Sequence, residues 1–204
     1  MTNYKNIENV IDEHLNGKGG FTRHYLTLFS LVVGMESKKV LELGAGFSSR
    51  VILTALEQTG GKLITCDNRS VEKKGLTDAM QEHSNIWEYN EMNSRDFLPK
   101  LKNEKFDLVL HDGAHDFKNV ILDLRKIVPK VRRNGLIVVH DTFHPGLQRR
   151  FLITAVKIGM FPHRYEMVTL PYGCGLSIIR KKSGKKSEAF EAKWSKNNTN
   201  VLIS

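Results

Sequence analysis

Between residues 36 and 160 the chain alternates between two hydrophobic patterns. Short, nearly continuous apolar runs give way to longer stretches in which apolar positions recur every three or four residues. The runs KVLELGAG, KLITCDN, IWEYNEM, FDLVLHDG and GLIVVHD read as five strands. SSRVILTALEQTG, closed by Gly60 and Gly61, SVEKKGLTDAMQEHS and SRDFLPKLKN read as helices between them. DFKNVILDLRKIVPKV sets Phe117, Val120, Ile121, Leu124, Ile127 and Val128 on one helical face, and Pro145 is placed to start a helix over PGLQRRFLITAVKIGM. Ahead of the first strand, Ile7, Val10, Ile11 and Leu15 mark one amphipathic helix, and Tyr25, Leu26, Phe29 and Val33 a second.

Strands that are apolar on both sides, separated by helices, predict a parallel sheet covered on both faces. RYEMVTL and LSIIRKK, joined by PYGCG, break the rhythm and predict an antiparallel hairpin at the edge. The fold class expected is therefore α/β, a Rossmann-like doubly wound sheet of seven strands, mostly parallel. Residues 1–35 form helices that can act as a lid, 36–182 the core, and 183–204 a basic polar tail.

Length and composition fit one ordinary globular domain. Two cysteines, Cys66 and Cys174, provide neither a disulfide framework nor metal-ligand spacing, which suits a cytoplasmic protein. No apolar run reaches membrane-span length, and the polar N-terminal stretch reads as neither signal nor transit peptide. The net charge of +9 sits largely in Arg125, Lys126, Lys130, Arg132, Arg133 and the lysine-rich tail. It fits a solvated surface or an anionic partner, nucleic acid among them.

In an open sheet of this kind, ligands bind beyond the carboxyl ends of the strands, near the point where strand order reverses. Glu42, Asp67, Asp112 and Asp141 fall at those ends. Gly44 and Gly46 form a tight strand-to-helix turn that lets a ligand approach the backbone, and Asp67, ending the next strand, can take the two hydroxyls of a ribose. Glu42 before the glycines is a poor neighbour for a pyrophosphate and a good one for a cation, and Ser49 stands where a nicotinamide site wants a third glycine. S-adenosylmethionine, with a sulfonium, an ammonium and no phosphate, fits better than a dinucleotide.

VLELGAGFSS, LITCDN, FDLVLHDGAH and GLIVVHDTFHPG together resemble the class I S-adenosylmethionine-dependent methyltransferases. The D-G-x-H-x-[YF] and H-D strings are similar to the group that includes macrocin-type sugar O-methyltransferases and cephalosporin-hydroxylase-like proteins. The resemblance spans residues 20 to 180. It implies that Glu42, Gly44 and Gly46 line the methionine part of the cofactor, that Asp67 holds the ribose, that Asn93 lies near the adenine, and that Ser48 and Asp112 also belong to the cofactor site. Ser48 departs from the pattern, since many members have glycine there. The resemblance further implies a small hydroxylated acceptor and a divalent metal that lowers the pKa of the hydroxyl to be methylated. Asp112 and Asp141 would be its carboxylate ligands and His140 a third. Magnesium prefers oxygen ligands and histidine suits zinc, iron or nickel, so the metal's identity is open. His115, three residues after Asp112, is the candidate general base.

Plainer readings stand beside these. Asp112 could cap the following helix, His115 could be a first-turn surface residue, and His140 could be packed at the strand end. His111 alternates to the other side of the strand from Asp112 and reads as structural, while His144 and Asp116 have no assignment. A nucleic-acid methyltransferase is the alternative that charge suggests, but HDGA stands where base-amine methylating enzymes carry [DNS]-P-P-[YF]. A non-catalytic binding protein that retains the fold is a third reading. The sequence decides neither the acceptor nor the oligomeric state.

Overall fold

The computed structural model describes residues 5–113, 115–142 and 152–182. Two helices, α1 (Lys5–Asn16) and α2 (Tyr25–Gly34), precede β1 (Lys39–Leu43), α3 (Phe47–Thr59) and β2 (Lys62–Asp67). There follow α4 (Thr77–Glu82), β3 (Trp87–Glu91), α5 (Ser94–Phe97), β4 (Phe106–His111), α6 (Phe117–Ile127), β5 (Val131–His140) and α7 (Leu152–Met160). The chain closes on the hairpin β6 (Tyr165–Leu170) and β7 (Leu176–Lys181). Pro145, His144 and the basic tail lie outside the described residues.

The seven strands run in the order β3-β2-β1-β4-β5-β7-β6, with the first five parallel and β7 antiparallel to both its neighbours. The doubly wound sheet with an antiparallel edge is thus as the hydrophobic pattern predicts. Strand order reverses between β1 and β4, which pair from Val40–Leu108 to Leu43–His111. Alternation along each strand feeds two cores. Leu41, Leu43, Val109, Ile137 and Val139 meet α6 and α7 on one face. Val40, Leu63, Leu108, Leu110 and Val138 meet α2 and α3 on the other. Among the described residues no helix is long and apolar enough to cross a membrane.

Four helices differ from the periodicity. Val10 of α1 is buried, but Ile11 and Leu15 are exposed, so the helix rests on the body along a narrow line. α2 buries Tyr25, Leu28 and Val32 rather than the face through Leu26, Phe29 and Val33. α4 is only six residues long, because Gly75 takes a left-handed φ of 65° and residues ahead of it form turns. On α6, Phe117 is exposed while Val120, Leu124 and Ile127 are buried.

α6 and α7 approach so closely that a Cβ on Gly159 would lie 2.8 Å from Leu124 Cβ and 3.4 Å from the Ile121 Cα. Gly159→Ala therefore overpacks this interface, at about 1–3 kcal/mol. A urea titration should show the midpoint falling with the slope unchanged; an unchanged midpoint would mean that the helices separate without cost.

Candidate active site

The loops after β1 and β4 are built against each other. Asp112 N donates to Leu43 O at 2.8 Å, and Gly44 N to Cys66 O at 2.9 Å. Gly44 has φ 92°, and a Cβ there would lie 2.3 Å from Asp112 O, so only glycine permits this contact. Gly46 begins α3 in an extended conformation; a Cβ there would meet only Ser48 Oγ, at 4.0 Å. Its neighbours do not require a glycine, and the space is open to a ligand.

Between these loops and the ends of β2 and β3 lies a cavity of about 850 Å³, within the range of small-molecule sites. Gly44, Asp67, Asn93, Asp112 and His115 all contribute to its wall, so five positions singled out along the sequence converge on one space, joined there by Gly113. Lys74, Arg69, Ser94, Arg95, Asn119 and Asp123 also line it. None of these belongs to a sequence motif.

Glu42, Gly46 and Ser48 do not line this cavity. Glu42 is completely buried beneath the loop. Ser48 Oγ donates to its Oε1 at 2.7 Å, and Ser49 Oγ and Thr65 Oγ1 donate to its Oε2 at 2.7 and 2.9 Å. The Trp87 indole N–H donates in turn to Thr65 Oγ1 at 2.9 Å. Strand alternation explains the difference: Glu42 leaves β1 on the same side as Val40, toward α3, rather than along the strand axis. The serine at position 48 replaces nothing in the cavity; it binds the carboxylate. Burial raises the Glu42 pKa from its ordinary value to about 7, against the opposing hydrogen bonds from Ser49, Ser48 and Thr65.

Asp67, also buried, accepts from Ala45 N on Oδ2 at 2.8 Å and from Arg69 N on Oδ1 at 2.9 Å. Lys74 Nζ lies 2.9 Å from Oδ2 and donates to Ala45 O at 2.6 Å. Asn93 stands at the N-terminal cap position of α5 without a side-chain capping bond.

At the other end, Asp112, His115 and Asp141 bring one ligand atom each within 4.8 Å of one another. His115 Nδ1 is 2.8 Å from Asp141 Oδ2. Asp141 is buried and takes a left-handed φ of 61°, a conformation that aspartate tolerates better than most side chains. Asp112 does not cap α6, because Asp116 does so by accepting from Asn119 N at 3.0 Å. His140 sits behind the group: its Nδ1 is 2.8 Å from Asp112 Oδ1, and its ring packs nearly edge-on against Phe21 at 4.4 Å. His115 thus takes the place in the cluster expected of His140, whose nearer nitrogen is turned to Asp112. His111 turns away, with Nε2 3.3 Å from Asp123 Oδ2.

Phe21, His24 and Tyr25 gather beside this end. His24 is buried and stacks on Tyr172 at 4.9 Å, so the segment before α2 meets the turn between β6 and β7. Burial, reinforced by His140, lowers the His24 pKa to about 4 and keeps the ring neutral near pH 7.

The family described as "Methyltransferase domain" matches residues 41–142, half of the chain. Solved structures share the fold. A methyltransferase of Podospora anserina bound to SAH, PaMTH1, is 16% identical, with TM-score 0.61 over 89% of this chain and 97% of that one. A putative caffeoyl-CoA O-methyltransferase from Staphylococcus aureus is 16% identical, with TM-score 0.62 over 86% and 99%. An O-methyltransferase from Bacillus cereus in complex with SAH is 17% identical, with TM-score 0.62 over 87% and 90%. No curated protein matches the sequence.

The Glu42 site gives a pH signature. Its folded pKa of about 7 lies above the ordinary 4.5, so the folded chain holds a proton that the unfolded chain releases between those values. The stability this contributes is complete below about pH 4.5 and is lost as pH rises through 7, by up to about 3 kcal/mol. Glu42→Gln keeps an acceptor for the hydroxyls and should flatten that part of the profile. Urea midpoints at pH 5 and pH 8 for both proteins are the check, and parallel profiles would refute the assignment.

Proposed function

The chain belongs to the methyltransferase-domain family and is a class I S-adenosylmethionine-dependent methyltransferase, and on that premise we propose that it methylates a hydroxyl oxygen of a small acceptor. The observation that carries the reading is the 2.8 Å contact between His115 Nδ1 and Asp141, beside Asp112 at the edge of the cavity. A neutral His115 that gives its Nδ1–H to Asp141 keeps its lone pair on Nε2, the arrangement a general base needs.

Bound S-adenosylmethionine supplies a methyl group activated by its sulfonium. The protein's part is to position and to take up a proton. Asp67 would hold the ribose, Asn93 would lie by the adenine, and Gly44, Gly46 and Gly113 would let the methionine part approach the backbone. Asp112, oriented by His140, faces the cationic end. His115 would accept the proton of the acceptor hydroxyl, and the cofactor, when bound, would supply the methyl group to that oxygen. In-line alignment provides most of the remaining acceleration. Phe21, His24 and Tyr25, ahead of β1, would cover the acceptor side, and the sheet with its strand-end loops would bind the cofactor. Small acceptors are supported by the O-methyltransferases among the structural neighbours.

A second reading of the same three groups is favoured by their spacing: two carboxylates and an imidazole within 4.8 Å fit a divalent cation. The mixed oxygen and nitrogen set suits manganese, iron or zinc better than magnesium. When bound, such an ion would lower the pKa of the acceptor hydroxyl.

Calorimetry with S-adenosylhomocysteine, with NAD as control, should show binding that Asp67→Ala abolishes; binding of NAD alone would overturn the proposal. In an acceptor screen, His115→Ala should keep cofactor binding and lose turnover by about 10²–10⁴-fold. Turnover that survives EDTA supports the base, whereas loss restored by manganese, with Asp112→Asn inactive, supports the cation.

A further inference from the structure

The carboxylate of Asp67 has two backbone donors and one ammonium around it. A carboxylate offers about four lone-pair positions. Arg69 N–H takes one on Oδ1 and Ala45 N–H takes one on Oδ2, while the Lys74 ammonium, in ion-pair contact 2.9 Å from Oδ2, stands against that oxygen. One position is left clear of the ammonium. The two backbone donors belong to the turns that shape the site and are fixed by them. A ribose presents two neighbouring hydroxyls, and the usual way for an acidic residue at this strand end to hold them is to accept from both. With Lys74 in place the arithmetic fails by one.

Lys74 is well placed to be the group that leaves. It belongs to the turns before α4 and is followed by Gly75 with φ 65°. It lines the cavity itself, and its side chain is about one-fifth exposed. Its two contacts in the site are to Asp67 Oδ2 and to Ala45 O, on the glycine-rich turn. The ammonium therefore spans the ends of β1 and β2, over the seat that the ribose requires.

We propose that Lys74 is a resident competitor for the nucleoside seat, and that the cofactor binds by displacing its ammonium from Asp67. This rests on the reading of Asp67 as the ribose partner. Cofactor affinity is then set by the difference between two sets of contacts on one carboxylate. Removing the lysine removes the competitor without touching the seat. The ion pair also offsets the cost of burying the Asp67 carboxylate, which would otherwise lack a charge partner. Lys74 is a positioning residue, set against the cofactor rather than for it.

The test is calorimetric titration of the full chain with S-adenosylhomocysteine, comparing wild type, Lys74→Met, Lys74→Gln and Asp67→Ala. Both lysine variants should bind about tenfold more tightly than wild type. Their melting temperature without ligand should fall slightly, and the shift on saturation with ligand should grow. Two lysine variants guard against one that folds poorly. If Asp67→Ala loses binding while both lysine variants bind like wild type or more weakly, the competitor is refuted and the ribose reading stands. If Asp67→Ala binds like wild type, the ribose reading fails and the competitor with it. If wild type does not bind but the lysine variants do, Lys74 is a stronger block than proposed, which supports it.

Discussion

One carboxylate without access to water ties the first half of the fold together. Glu42 leaves β1 toward α3, and the hydroxyls that surround it come from the first turn of α3 and from β2. These three elements carry the loop on which Gly44 and Gly46 stand and the strand that ends in Asp67. Each hydroxyl offsets part of the desolvation of the acid. The arrangement fixes where α3 begins relative to the strand ends, and so the height of the glycine turn above the sheet. The shape of this end of the cavity therefore depends on a group that faces away from it.

At the far end of the site, function depends on how hydrogen-bonding duties are divided among the acids. Asp116 takes the helix cap, which releases Asp112 to face the cavity and to be steadied by His140. Asp141, at a left-handed position just past β5, turns its carboxylate to His115. Strained backbone at a strand end, held by good side-chain contacts, is a recurring mark of working sites.

Much of this was legible in the sequence, for identifiable reasons. Both-sided apolar strands dictate a covered parallel sheet, and the Gly/Pro turn at 171–175 dictates the hairpin, so the architecture follows from pattern alone. The strand-end rule then gathers Gly44, Asp67, Asn93, Asp112 and His115 into one cavity. Direction within a strand was harder: motif position suggests that Glu42 looks along the strand, whereas alternation sends it sideways. The roles of His140 and His115 in the cluster depend on side-chain orientation past the strand end, which spacing does not encode. Lys74 leaves no trace in the pattern, because its contacts cross from an irregular turn to two other loops. The exposed Ile11 and Leu15 show the opposite failure, a clear helical period with little to pack against.

The stack of His24 on Tyr172 joins the beginning of the chain to nearly its end. The glycine turn, Asp67 and Asp112 come from the parallel strands and their crossovers, all contained within the first two thirds of the sequence. The end of the site beside His24 has no such independence, since its wall exists only after the last hairpin has docked beside β5 and met the segment ahead of α2. Contacts between such distant positions form late and slowly, since a long loop must close before they contribute. Under the proposed assignment, a chain emerging from the ribosome would complete the nucleoside half of its site while the acceptor half still lacked its closing strand. It would acquire its ligand pocket before it acquired the capacity for turnover.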